Sequence, residues 1–230
     1  MAEIEEILPR RSDLSTFLVH LTRSGNGSAK DILCKILIEG RLSARSPFGH
    51  AFADMKKAGW DLADQMCVCF TEVPLEYICL LAEPIKGRSV VMEPYGIAIT
   101  KKQGRRKDAN PVWYIDQTIG RTWLTNPLNQ IVREAIDGKN PGHPIFRITP
   151  FIEQFGEYKD FHWEREWRCI GDFRLPKHFM IIAPEGDHAD IKKVVSEKGS
   201  MDPSNIRFID AHWGLEKCIA RLAGFDPADL

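Results

Sequence analysis

Residues Thr16 to Gly40 read TFLVHLTRSGNGSAKDILCKILIEG, and this stretch decides the fold class. Phe17, Val19 and Leu21 alternate with Leu18, His20 and Thr22, the period-two pattern of a strand with two distinct faces. Ser24-Gly25-Asn26-Gly27 is a strong turn signal. Ser28 is placed to cap a helix from Ala29 to Glu39, in which Ile32, Leu33, Ile36 and Leu37 form one stripe and Gly40 stops the run. A strand, a tight turn and a helix therefore follow one another within 25 residues.

The same two periods recur outward. Phe48 to Trp60 is weakly helical, Met66 to Phe70 (MCVCF) reads as a short buried strand, and Pro74 opens a helix over Leu75 to Leu81. Tyr95 to Thr100 and Pro111 to Ile115 read as strands of a hairpin joined by the polar loop KKQGRRKDAN. Leu124, Leu128, Ile131, Val132 and Ala135 predict a helix over Thr122 to Ile136, ended by the loop Gly138 to Pro144. Strands are expected at Trp163 to Ile170, Phe173 to Leu175 and Phe179 to Ala183. The tail then alternates a helix (Asp187 to Glu197), a strand (Ile206 to Asp210) and a helix (Trp213 to Ala223). The prediction is an α+β single domain over residues 1–230, with a central mixed or antiparallel split sheet flanked by helices. It comprises an N-terminal extension (1–15), a core (16–175) and a C-terminal βαβα extension (176–230).

Composition narrows the function classes. With 31 Lys and Arg against 32 Asp and Glu among 230 residues, the net charge of −1 excludes a globally basic nucleic-acid binder. A hydrophobic content of 43% with 27% charged residues excludes a disordered chain. The six cysteines sit mostly in apolar runs of a chain too large to need disulfide staples, which predicts reduced core thiols and a cytoplasmic protein. The start MAEIEEILPRRSD lacks a signal pattern, and no apolar run approaches the roughly 20 residues of a membrane helix, so neither export nor membrane insertion is expected.

Three groups of residues could carry chemistry. In the segment Phe161-His162-Trp163-Glu164-Arg165-Glu166-Trp167-Arg168-Cys169-Ile170, an extended chain would set Glu164, Glu166 and Arg168 on one face, with the two carboxylates about 7 Å apart. The arrangement admits two readings: an Arg–Glu ladder on a partly solvated strand, or carboxylates that bind a sugar hydroxyl and stabilise positive charge at an anomeric carbon. His20 is either a satisfied core histidine or a ligand-binding group, since it precedes a glycine-rich turn and a helix N-terminus where a phosphate can bind. Lys101, Lys102, Arg105, Arg106 and Lys107 put five cations into seven residues, either a solvated hairpin tip or a set of phosphate contacts to a nucleic acid. The histidine and cysteine spacings complete no metal site, and none is predicted.

His20-Leu21-Thr22, Ile38-Glu39-Gly40-Arg41-Leu42-Ser43, Val68-Cys69-Phe70-Thr71-Glu72-Val73-Pro74, Pro94-Tyr95-Gly96-Ile97 and Glu164-Arg165-Glu166-Trp167-Arg168 together resemble the abortive-infection family AbiGi, over about Leu18 to Ile170. That resemblance implies a role in phage resistance, under an antitoxin label. The order of elements also looks like DarT-type and other ADP-ribosyltransferases. This second likeness implies a transferase fold with NAD as substrate and a nucleic acid or protein as acceptor. His20 would then hold NAD, Thr22, Tyr95 and Arg168 would contact substrate, Glu166 would assist departure of nicotinamide, and Glu164 would orient the acceptor. The alternative is a non-catalytic antitoxin or interaction module that docks a partner toxin protein or a nucleic acid through the Glu164 strand or the basic loop.

Overall fold

The structure, a computed structural model, describes residues 14–84, 90–118, 120, 122–156, 162–199 and 206–225. Nearly all of the expected N-terminal extension, and Phe161, lie outside the described residues. In chain order the main elements are β1 (Phe17–Leu21), α1 (Ala29–Glu39), α2 (Phe52–Lys57), β2 (Met66–Thr71), β3 (Gly96–Thr100), α3 (Lys101–Arg105), β4 (Asn110–Pro111) and β5 (Trp113–Asp116). They continue with α4 (Thr125–Asp137), β6 (Ile152–Phe155), β7 (Glu166–Ile170), β8 (Met180–Ile182), α5 (His188–Lys198), β9 (Phe208–Ile209) and α6 (Leu215–Ala223). The fold is α+β, in two compact units assembled from non-contiguous pieces. The first unit takes residues up to Arg41, Glu72–Gln103 and everything from Arg174 onward; the second takes Leu42–Thr71 and Gly104–Phe173.

In the first unit the strand order β9-β8-β3-β1 makes a mixed sheet: β3 is antiparallel to both β1 and β8, and β8 is parallel to β9. The helix predicted after the glycine turn forms over the expected residues because both ends are chemically closed. The Ser28 hydroxyl accepts the Asp31 N–H at 3.1 Å while the Asp31 carboxylate accepts the Ser28 N–H at 3.2 Å, and Gly40 ends the helix in the left-handed region. Gly96 is required by proximity: a Cβ there would stand 2.2 Å from the His20 carbonyl oxygen. The core joins Val19 and Leu21 of β1 to Ala98, Ile182 and Ala211. Residues beyond 176 thus supply sheet strands and core side chains to this unit, each buried aliphatic contributing about 1.5–3 kcal/mol.

The second unit pairs β2 with β7 and β7 with β4, all antiparallel, and holds β5 and β6 as a separate parallel pair. Leu128, Val132 and Ala135 of α4, at helical spacing, pack with Ala51, Met55, Ile115, Ile145, Phe146 and Ile152. Trp60 adds an edge-to-face contact to Phe146 with ring centroids 5.4 Å apart.

Two expectations are corrected. No hairpin links residues 95–100 to 111–115: β3 pairs with β1 and β8, β4 with β7, and β5 with β6. The segment after Thr100 opens as helix α3, because Thr100 and Gln103 form a reciprocal cap. The Thr100 N–H donates to the Gln103 amide oxygen at 2.8 Å, and the Gln103 N–H to the Thr100 hydroxyl at 3.2 Å. The strand expected from Trp163 begins only at Glu166. His162–Glu164 is a 3₁₀ turn, and Arg165 has φ of +48°. Cross-strand pairing ends at Thr71 opposite Glu166, and the Thr71 hydroxyl caps the turn by donating to the Glu164 carbonyl at 2.5 Å. Glu164 and Glu166 therefore do not share a strand face.

Candidate functional site

The polar centre of the second unit is built on β7. Antiparallel register sets Cys69 opposite Arg168 and Thr71 opposite Glu166, so these four side chains share one sheet face. The Arg168 side chain is 1% exposed, while those of its carboxylate partners Glu166 and Glu153 retain 19% and 23%. Arg168 Nε donates to Glu166 Oε1 at 2.9 Å and Nη2 to Glu166 Oε2 at 2.8 Å, a bidentate fork. Nη2 also reaches Glu153 Oε2 at 2.7 Å, Nη1 donates to the Pro150 carbonyl at 2.7 Å, and the Phe48 ring lies 5.0 Å from the guanidinium carbon. Glu153 and Tyr114 are register partners in the β5–β6 pair, and the Tyr114 hydroxyl accepts the Glu166 backbone N–H at 3.1 Å.

The electrostatics follow from burial and charge. Burial opposes the Arg168 cation, but the charge and hydrogen bonds of Glu166, with help from Glu153, outweigh it and hold the guanidinium above its ordinary range. Burial pushes the Tyr114 phenol and the Cys69 thiol upward, and the neighbouring Glu166 charge adds to both shifts. Both groups are therefore protonated donors rather than nucleophiles at neutral pH. One guanidinium faces two carboxylates whose side chains keep partial contact with water.

The expected site residues divide between the units. Glu166, Glu164 and Arg168 belong to the second; His20, Thr22 and Tyr95 belong to the first. Glu153 and Tyr114 were missed because only the β5–β6 pairing brings them to β7. His20 is half-buried on β1, on the face of Leu18, Ile97 and Ile99. Thr22 is buried and its hydroxyl donates to the Ala29 carbonyl at 3.0 Å, so the expected substrate contact is spent inside the fold. The Tyr95 hydroxyl donates to Asp187 Oδ2 at 2.6 Å, and burial together with that carboxylate pushes the phenol up to about 12. Lys30 bonds the other oxygen of Asp187 at 2.7 Å and rises above its ordinary range through that bond, while Asp187 is held below the usual carboxylate range. The N-terminus of α1, considered for a phosphate, is filled by the like-charged Asp31.

The basic segment is reduced as a nucleic-acid contact. Lys101 is tied to Glu72 at 2.5 Å, and the Lys107 ammonium sits 5.7 Å from the centre of the Phe173 ring. Lys102, Arg105 and Arg106 are exposed. The six cysteines form no disulfide, and burial pushes the Cys67 thiol up to about 11. Among the described residues no group of three or more His, Cys, Asp or Glu side chains could hold a metal ion, and no helix is long and apolar enough to cross a membrane. No family model, curated protein or solved structure matches this chain.

Proposed function

We propose that the Arg168-anchored carboxylate pair is the reactive centre of an NAD-consuming ADP-ribosyltransferase, acting in phage defence as the resemblance to AbiGi and DarT-type proteins implies. The observation that carries this reading is the sharing of Nη2 by Glu166 and Glu153. Their bonded oxygens lie at 2.8 and 2.7 Å from that nitrogen, hence within 5.5 Å of each other. Such a spacing brings two carboxylates onto one sugar ring without the wider gap, roughly 6.5–9.5 Å, that admits a water between them.

The charge arrangement suits the substrate. The C1′–N bond of NAD breaks without a proton on the leaving group: its electron pair passes to the cationic pyridinium nitrogen, and nicotinamide departs neutral. Positive charge then develops at C1′ and on the ring oxygen, beside Glu166 and Glu153, where a pre-organised negative charge stabilises it. Water or an acceptor oxygen or nitrogen bonds C1′ and releases its proton to a carboxylate or to solvent. The acceptor-orienting part expected of Glu164 passes to Glu153, and nothing in this reading requires His20.

Nicotinamide release by wild type, Glu166→Gln and Glu153→Gln tests it. Wild type should turn over NAD and gain melting temperature with millimolar NAD, whereas Glu166→Gln should keep the fold and lose at least about 100-fold in turnover. Absence of both turnover and thermal shift in wild type ends the enzyme reading. It would favour the non-catalytic module, in which Arg168 serves only to balance Glu166 and Glu153.

A further inference from the structure

Tyr114 brings to the carboxylate centre an atom that the sheet does not require. Pro111 of β4 is the register partner of Trp167, and one step further along the Val112 N–H donates to the Glu166 carbonyl at 2.8 Å. In a regular antiparallel ladder the Val112 carbonyl would accept the Glu166 N–H in return. The Tyr114 hydroxyl takes that N–H instead, at 3.1 Å. Here the chain leaves β7 and pairs with β6, where Tyr114 is the register partner of Glu153 and shares its face. A hydroxyl that accepts still has a proton to give. Among the described residues no group accepts the proton of this half-buried phenol.

The neighbouring groups have the opposite capability. Glu166 and Glu153, held as carboxylates against Arg168, can only accept, and their part-exposed oxygens keep lone pairs beyond those that the guanidinium uses. Burial and the adjacent carboxylate charges hold the Tyr114 phenol above its ordinary range, so it keeps its proton at neutral pH. A fixed donor beside a fixed acceptor is the pair that recognises a hydroxyl, which accepts through its oxygen and donates through its proton.

Resting on the transferase reading given above, we infer that Tyr114 is a specificity-determining residue: its O–H donates to the 2′-oxygen of the ribose whose C1′ reacts, and that 2′-hydroxyl donates in turn to Glu166. The position on the sugar follows from the chemistry. C1′ must lie beside the carboxylates for their charge to act on it, and the hydroxyl on the adjoining carbon is the 2′. The chain from phenol to hydroxyl to carboxylate is polarised in one direction, so each bond strengthens the next. As positive charge grows at C1′ the 2′-hydroxyl becomes more acidic, and its bond to Glu166 tightens. A sugar without that hydroxyl leaves both the Tyr114 proton and the Glu166 lone pair unmatched. The centre therefore selects ribosyl over 2-deoxyribosyl donors.

The test is the initial rate of nicotinamide release by wild type and Tyr114→Phe from NAD and from the analogue whose nicotinamide ribose lacks the 2′-hydroxyl. Comparing variant with wild type on each substrate cancels the greater intrinsic lability of the deoxy bond. Tyr114→Phe should lower kcat/KM at least about tenfold on NAD and less than about twofold on the analogue. A purely structural role, through the lost acceptor of the Glu166 N–H, would slow both substrates alike. Equal losses therefore overturn the assignment of Tyr114 and leave the transferase reading in place, whereas a wild type that does not turn over NAD ends both. Should Tyr114→Phe fail to fold, wild type decides alone: NAD should reproduce the melting shift of the analogue at about one tenth of its concentration, and equal potency overturns the inference.

Discussion

Arg168 in the second unit and Glu185 in the first are both single charges gripped by two of the opposite sign, and they work in opposite ways. Arg168 has lost almost all contact with water, so its desolvation must be met by Glu166, Glu153 and the Pro150 carbonyl acting together. Glu185 is 40% exposed, and Lys217 and Arg221 cost little to bring to it. The first arrangement is a commitment the fold cannot undo cheaply; the second is a clasp that positions a helix. A buried cation under two part-exposed carboxylates concentrates negative charge at a fixed place, which is why the chemistry is assigned to it and not to the clasp.

Removing the guanidinium is the harshest way to break this contrast. Arg168→Ala should destabilise the protein by about 3–5 kcal/mol in urea unfolding, because two carboxylates are left without their cation, and Arg168→Lys should recover little, since a point charge cannot fork. Replacing Arg168, Glu166 and Glu153 together with Met, Leu and Leu should return most of that stability while abolishing any NAD turnover. Loss below about 1 kcal/mol for Arg168→Ala would mean that the buried cation is not the keystone of the second unit.

A milder probe lies in the first unit. Tyr95→Phe removes the donor to Asp187 but leaves Lys30 to balance that carboxylate. The expected cost is about 1 kcal/mol by thermal melting.

The smallest effect is pH-dependent. The Lys217 ammonium, aided by Trp213 and Arg221, holds the Glu185 carboxyl down at about 2, below its ordinary 4.5. A lowered folded-state value means that the contribution is complete above about 4.5 and disappears as the pH falls towards about 2. Water screens this clasp, so the contribution is under about 1 kcal/mol. The difference in melting temperature between wild type and Glu185→Gln should be greatest near neutral pH and vanish through that acidic window. A difference unchanged down to pH 2 would show that packing, not charge, holds α6.

Legibility of the sequence varied with how local the governing interactions are. The unit from β1 to α1 was read to within a residue because alternation, the Ser28 cap and Gly40 are all contacts within a few positions. The helix α3 was also written locally, in the Thr100–Gln103 cap, but five cations and a glycine disguised it as a loop. The strand at Glu164 was overextended because alternation persists in the sequence after the partner strand has ended. Glu166 and Arg168 were identifiable as a charged pair two positions apart on one face. Glu153 and Tyr114 were not, since β6 and β5 reach them only through pairings between residues far apart in the chain.

By itself the sequence determined the α+β class, the first strand and helix, the apolar face of α4 and the placing of Glu166 and Arg168 on one face, since period and capping act within a few residues of each side chain. Tertiary structure alone decided that the chain divides into two discontinuous units, that residues beyond 176 belong to the sheet of the first, and that Glu153 completes the grip on Arg168. Those outcomes depend on long-range pairing and on which groups lose their hydration, quantities that no local pattern of residues encodes.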